Sequence, residues 1–107
     1  MAVIPVNDSN FNTQVASSPK VMVKYYADWC GSCKLFAPKF RRLSDDERFK
    51  DIVFLEINAE ENPEARKLAG VDNLPFFTAF YNAQLHEAKA SSKEEVVLAM
   101  LEKLVAL

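Results

Sequence analysis

The chain has 107 residues, half of them hydrophobic, and a formal net charge of −2. That length suits a single domain, residues 1–107, able to bury about two-thirds of its unfolded surface, and the slight acidic balance offers no basic field for nucleic acid. No apolar run approaches the roughly 18 residues of a membrane span, and the start, Met1-Ala2-Val3-Ile4-Pro5-Val6-Asn7-Asp8, lacks the basic segment and long apolar core of a signal peptide.

Residues 2–6 read as a short strand, and Asn7-Asp8-Ser9-Asn10 offers caps for a short helix through Val15. Ser17-Ser18-Pro19 breaks that helix before a strand over Val21–Ala27. Phe36, Phe40 and Leu43 then recur at one-face helical spacing, so a long helix follows Cys30, with Pro38 removing one hydrogen bond and kinking it. Ile52–Ile57 is nearly continuous in apolar residues, as in a strand covered on both faces. Pro63 suits the first turn of a helix through Leu68, and Gly70 its C-terminal cap. Phe76–Tyr81 and Gln84–Ala88 form a hairpin across Asn82-Ala83, although alanine is a poor second residue for that turn. Ser91-Ser92-Lys93-Glu94 resembles a capping box opening a last helix, whose Val97, Met100, Leu101 and Leu104 share a core face. The order is β-α-β-α-β-α-β-β-α, an α/β class with early parallel crossovers and a closing antiparallel edge.

Both cysteines lie in Trp29-Cys30-Gly31-Ser32-Cys33-Lys34, at the end of one strand and the start of the long helix. A helix N-terminus presents unpaired N–H groups and favours an anion, so the Cys30 thiol should ionise below the free value of about 8.5. A purely structural disulfide closing so short a loop restrains the unfolded chain little. A zinc site needs about four ligands, and here only His86 and carboxylates could join the two thiols. Two inert buried thiols fit poorly with Gly31 and Ser32 between them. A dithiol that opens and closes reversibly is the favoured reading, and in the cytoplasm, the expected location, such a pair is usually catalytic or redox-sensing.

Over essentially its whole length the chain resembles the thioredoxin family. The resemblance rests on Tyr25-Tyr26-Ala27-Asp28-Trp29-Cys30-Gly31-Ser32-Cys33-Lys34, on Ala37-Pro38, on Asn62-Pro63, and on Val71 through Leu74-Pro75. It implies the thioredoxin fold, a central mixed β-sheet flanked by helices with the dithiol at one sheet edge. It also implies Cys30 as the exposed nucleophile, Cys33 as the recessed resolving thiol, and a redox disulfide between them. Pro75 matches the family's cis-proline opposite the dithiol, Leu74 its substrate-docking edge, and Trp29 and Gly31 flank the nucleophile where a substrate chain approaches. The implied activity is reduction of protein disulfides, with a thioredoxin reductase or equivalent electron donor, no bound cofactor, no metal, and neither nucleic acid nor membrane as partner.

Several positions depart from the family pattern. Ser32 replaces a proline common between the cysteines, and its hydroxyl can reach a thiolate. Phe76 replaces a common threonine, the glycine usual after the final hairpin is missing, and the Gln84–Ser91 segment is short. Lys24 stands where the family usually carries a buried aspartate, and Glu56 where it carries the accompanying lysine. The expectation is a buried, charge-swapped pair beneath the dithiol that takes over proton transfer at the resolving cysteine. Two other functions remain open: a redox-sensitive binding module for a dedicated partner, and a disulfide oxidase or isomerase of the protein disulfide isomerase type.

Overall fold

A computed structural model describes residues 3–107, so Ala2 of the expected first strand lies outside the described residues. The elements follow the expected order: β1 (Ile4–Pro5), α1 (Phe11–Val15), β2 (Lys20–Tyr26), α2 (Gly31–Ser44), β3 (Val53–Asn58), α3 (Pro63–Ala69), β4 (Phe76–Tyr81), β5 (Gln84–Ala90) and α4 (Glu94–Val105). A 3₁₀ turn at Glu47–Phe49 was not anticipated. The five strands form one mixed sheet in the order β1-β3-β2-β4-β5. Both β1 and β2 run parallel to β3, and β4 runs antiparallel to β2 and β5.

Alternation along the central strands divides the core in two. Val21, Val23 and Tyr25 of β2 pack with Leu55 and Ile57 of β3 beneath α1 and α3, which contribute Phe11, Val15, Ala65 and Ala69. Met22 and Phe54 point the other way, against Phe36, Phe40 and Leu43 of α2 and the α4 face of Val97, Met100, Leu101 and Leu104. Strand period 2 puts Lys24 and Glu56 on this second side, together with helix α2. Pro38 lies within α2 and takes the intrahelical partner from the Lys34 carbonyl.

Caps and turns show where local signals were redirected. The carboxylate of Asp8 caps α3, accepting from the N–H groups of Glu64 (3.1 Å) and Ala65 (2.9 Å), whereas α1 begins at Asn10 with no side-chain cap bond. Asn62 Oδ1 accepts the N–H of Asp8 in return, at 2.7 Å. The capping box expected at Ser91–Glu94 does not form. Strand β5 stays paired with β4 through Ala90, so the chain turns later and Lys93 becomes the N-terminal cap residue. Ser91 Oγ accepts instead from the N–H of Lys93 at 3.0 Å. Gly70 ends α3 at φ 66°, the left-handed cap its residue type favours.

Two expectations about stability follow. The hairpin turn holds both Asn82 (φ 51°) and Ala83 (φ 67°) in the left-handed region, which costs an alanine about 1 kcal/mol. Ala83→Gly should therefore raise unfolding stability by ~1 kcal/mol, measured by urea denaturation. The Tyr25 phenol donates to the Ala65 carbonyl at 3.1 Å, and burial pushes its pKa well up. In the unfolded chain a tyrosine ionises near pH ~10. The native state thus holds a proton that the unfolded state has lost, and stability should fall as pH rises beyond that point. In Tyr25→Phe this alkaline loss should be smaller, while stability near pH 7 should drop by about 1 kcal/mol with the hydrogen bond.

Candidate active site at the end of strand β2

Beyond Tyr26 the chain makes one tight turn before α2, and the Cys30 N–H donates to the Ala27 carbonyl at 3.1 Å. Cys30 is the N-cap of α2: its backbone is extended, and its sulfur accepts the N–H of Cys33 at 3.2 Å. A sulfur thus occupies the place a serine or aspartate oxygen usually fills. Ser32 Oγ lies 3.5 Å from the same sulfur, close enough for its hydroxyl to act on a thiolate there. Cys30 and Cys33 are joined as a disulfide.

The expected contrast in exposure between the cysteines is absent in this oxidised state, since Cys30 is 4% and Cys33 3% exposed. The bond draws both sulfurs into one small cluster with Ala27, against which Tyr26 and Leu74 pack. The two thiols differ instead in surroundings: Cys30 caps the helix beside Ser32, and Cys33 lines the cleft that holds Lys24 and Glu56. The Leu74–Pro75 peptide is cis, and it is the packing of Leu74 that brings this loop to the dithiol. Trp29, next in the chain to Cys30, is 67% exposed. At Gly31 an added Cβ would meet nothing within 4 Å, so the free fold does not itself require glycine there.

Lys24 and Glu56 are register partners on neighbouring parallel strands, with Nζ 3.5 Å from Oε1. The pairing expected from the sequence is present, but its burial is uneven. The Lys24 side chain is 4% exposed and that of Glu56 is 31% exposed. The carboxylate lines the open mouth of a cleft of about 240 Å³, shared with Lys24, Asp28, Cys33, Lys34 and Arg41. The ammonium sits deeper, 5.3 Å from the centre of the Phe40 ring and 5.7 Å from that of Tyr26. Burial lowers the pKa of Lys24, Glu56 opposes that shift, and the charge of Arg41 adds to it.

Arg41 was not singled out from the sequence. Cys33, Ala37 and Arg41 recur every fourth residue on α2, a spacing that places them on one helix face, and all three line the cleft. His86 stands exposed on β5, and among the described residues no group of three or more His, Cys, Asp and Glu side chains converges. No described helix is long and apolar enough to cross a membrane.

Uneven burial makes the ion pair asymmetric toward mutation. Removing Glu56 strands a buried ammonium, whereas removing Lys24 leaves a carboxylate that water already reaches. Glu56→Ala should cost about 1–3 kcal/mol of unfolding stability. Lys24→Met should stay within ~1 kcal/mol of the parent. Equal losses in the two variants would overturn the asymmetry, and additive effects in the double variant would show that the two charges are not energetically coupled.

The family model described as thioredoxin matches residues 2–103. Thioredoxin from Mycobacterium tuberculosis is 36% identical over 84 residues, covering 78% of this chain and 72% of that protein. Thioredoxin f from spinach chloroplast superposes with a TM-score of 0.88 at 25% identity, covering 95% of this chain and 92% of that one. A chain from the complex of ferredoxin:thioredoxin reductase and thioredoxin f2 superposes with a TM-score of 0.86 at 30% identity, covering 94% of this chain and 93% of that one.

Proposed function

The chain belongs to the thioredoxin family, and from that premise we propose that it reduces protein disulfides through the Cys30-Gly31-Ser32-Cys33 dithiol. The observation that carries this reading is the sulfur of Cys30 at the N-cap of α2, hydrogen-bonded to the N–H of Cys33. The same donor and the helix dipole would stabilise a thiolate at Cys30 once the disulfide is reduced.

Reduction proceeds by two exchanges. The Cys30 thiolate attacks one sulfur of a substrate disulfide, forming a mixed disulfide and expelling the other substrate sulfur, which takes a proton. Cys33 then loses its proton and attacks Cys30 Sγ. The Cys30–Cys33 bond closes, and the second substrate sulfur leaves and is protonated. Two electrons have moved from the protein dithiol to the substrate. A thioredoxin reductase or an equivalent dithiol donor restores the reduced state, a role suggested by the reductase partner in the structure of the thioredoxin f2 complex.

Leu74, Pro75, Trp29 and Gly31 form the docking surface in this reading. Leu74 packs on the dithiol cluster, Trp29 offers an exposed ring, and bare Gly31 leaves room for a substrate backbone. In this reading Glu56, which lines the same cleft as Cys33 and pairs with Lys24, receives the proton that Cys33 gives up. A reductase works against a reducing thiol pool, which assigns the chain to a compartment such as the cytoplasm.

Insulin reduction driven by a thioredoxin reductase and NADPH tests the activity. The parent protein should turn over, Cys30→Ser should be inactive, and Cys33→Ser should accumulate a mixed disulfide on Cys30 that mass spectrometry detects. Failure of the parent to turn over with any dithiol donor would overturn the reductase reading. Trapping through Cys33 in the Cys30→Ser protein would reverse the assigned roles.

A further inference from the structure

We propose that the buried Lys24 ammonium is the electrostatic partner of the Cys33 thiolate, and that it biases the dithiol toward its reduced form. This deepens the reading above and rests on it.

The geometry is that of the cleft beside α2. Cys33 lines it, and the charged groups around it come from every neighbouring element. Lys24 comes from β2, Glu56 from β3, Asp28 from the turn after β2, and Lys34 and Arg41 from α2. Three cations thus face two carboxylates. Asp28, Lys34 and Arg41 are exposed, and Glu56 is partly so, which leaves their fields to be screened by water and salt. Lys24 is 3% exposed, held between strands and the rings of Phe40 and Tyr26. Its charge is therefore the least screened of those in the cleft.

A disulfide carries no charge, so a cation gains little beside it. When two electrons enter and the S–S bond breaks, the sulfurs hold two negative charges until solvent protons reach them. A fixed cation favours the state in which a sulfur stays anionic. Lys24 thus stabilises the reduced dithiol over the disulfide, and it also eases the loss of the Cys33 proton before the resolving attack. A buried carboxylate at this position would oppose both effects by charge repulsion. Reciprocity requires that a Cys33 thiolate hold the Lys24 proton more tightly in turn.

In a Cys30→Ser background, Cys33 is the lone thiol, and thiolate absorbance near 240 nm reports its ionisation. With Lys24→Met the midpoint should rise by about one pH unit, a tenfold loss of thiolate below it. In the protein with both cysteines, equilibration against the glutathione couple, two glutathiones consumed per protein disulfide reduced, should shift toward the protein disulfide. The shift should be about twofold at the parent Cys33 midpoint and approach about tenfold above the Lys24→Met midpoint. Lys24→Gln should behave like Lys24→Met, and Lys24→Arg should keep the parent values. A structural role alone would leave the thiol midpoint in place. In the unsubstituted protein, NMR of the Lys24 ammonium should give a higher titration midpoint in the reduced than in the oxidised state. This readout needs no folded variant. Equal Lys24 midpoints in the two states, or an unchanged Cys33 midpoint in folded Lys24→Met and Lys24→Gln, would overturn the proposal. Insulin reduction by the parent would then still stand, which separates failure here from failure of the reductase reading.

Discussion

The hydrogen bond from the Cys33 N–H to the Cys30 sulfur, 3.2 Å long, joins the first turn of α2 to the end of β2. The rest of the site depends on that junction staying where it is. A helix start is normally completed by a side-chain oxygen, which is chemically inert in that place. Here the completing atom is a sulfur, so in the proposed function the group that finishes the helix is also the group that reacts. Its position is fixed from both sides. The Cys30 N–H is held by the Ala27 carbonyl, and the Cys30 carbonyl accepts from Lys34 at 3.2 Å. Downstream, Phe36, Phe40 and Leu43 seat α2 against the sheet and prevent it from sliding along its axis.

The same packing governs the charged pair. Lys24 falls on the α2 side of the sheet because Val23 and Tyr25 pack on the other, and side chains alternate along an unbulged strand. The parallel register then puts Glu56 directly beside it. What the register does not set is depth. Phe40 and Tyr26 cover the lysine, and the open cleft reaches the carboxylate. Exchanging acid and base between two strands is therefore not a symmetrical operation. The buried position keeps its own field and its own desolvation cost, and it is now a cation that occupies it.

Much of this architecture was legible in the sequence because the signals were local and strongly periodic. The apolar run ending at Ile57, the helix spacing of Phe36, Phe40 and Leu43, and the Pro63 and Gly70 boundaries each correspond to an element in place. The failures involve partners distant in the chain. Asp8 looks like a cap for the helix that follows it, yet its oxygens are taken by Glu64 and Ala65, more than fifty positions away. The Ser91–Glu94 pattern is a valid cap by itself, but the pairing of β5 through Ala90 overrides it. At the site, the Lys24–Glu56 pairing was readable from two charges interrupting two apolar strands. The exposure of Glu56 and the inclusion of Arg41 were not, because both depend on how α2 overhangs the sheet edge.

The return from β5 to α4 is tied to the loop proposed as the docking edge. Ser91 leaves β5 and its N–H donates at once to the Pro75 carbonyl at 3.1 Å, so the cis-proline loop is tied to the segment that leads into α4. One residue earlier, the Leu74 N–H donates to the Asn73 side-chain oxygen at 2.9 Å. A substrate strand that pairs with Leu74 in the proposed function must replace that exposed bond. Exchange of one hydrogen bond for another is nearly neutral in free energy, so the edge stays open to a strand. Selectivity must then come from side chains rather than from main-chain pairing. Exposed Trp29 on one side and the partly buried Leu74 on the other offer apolar surface to a substrate segment. In the proposed function the backbone of the loop supplies alignment, and the side chains around the dithiol decide which disulfides it meets.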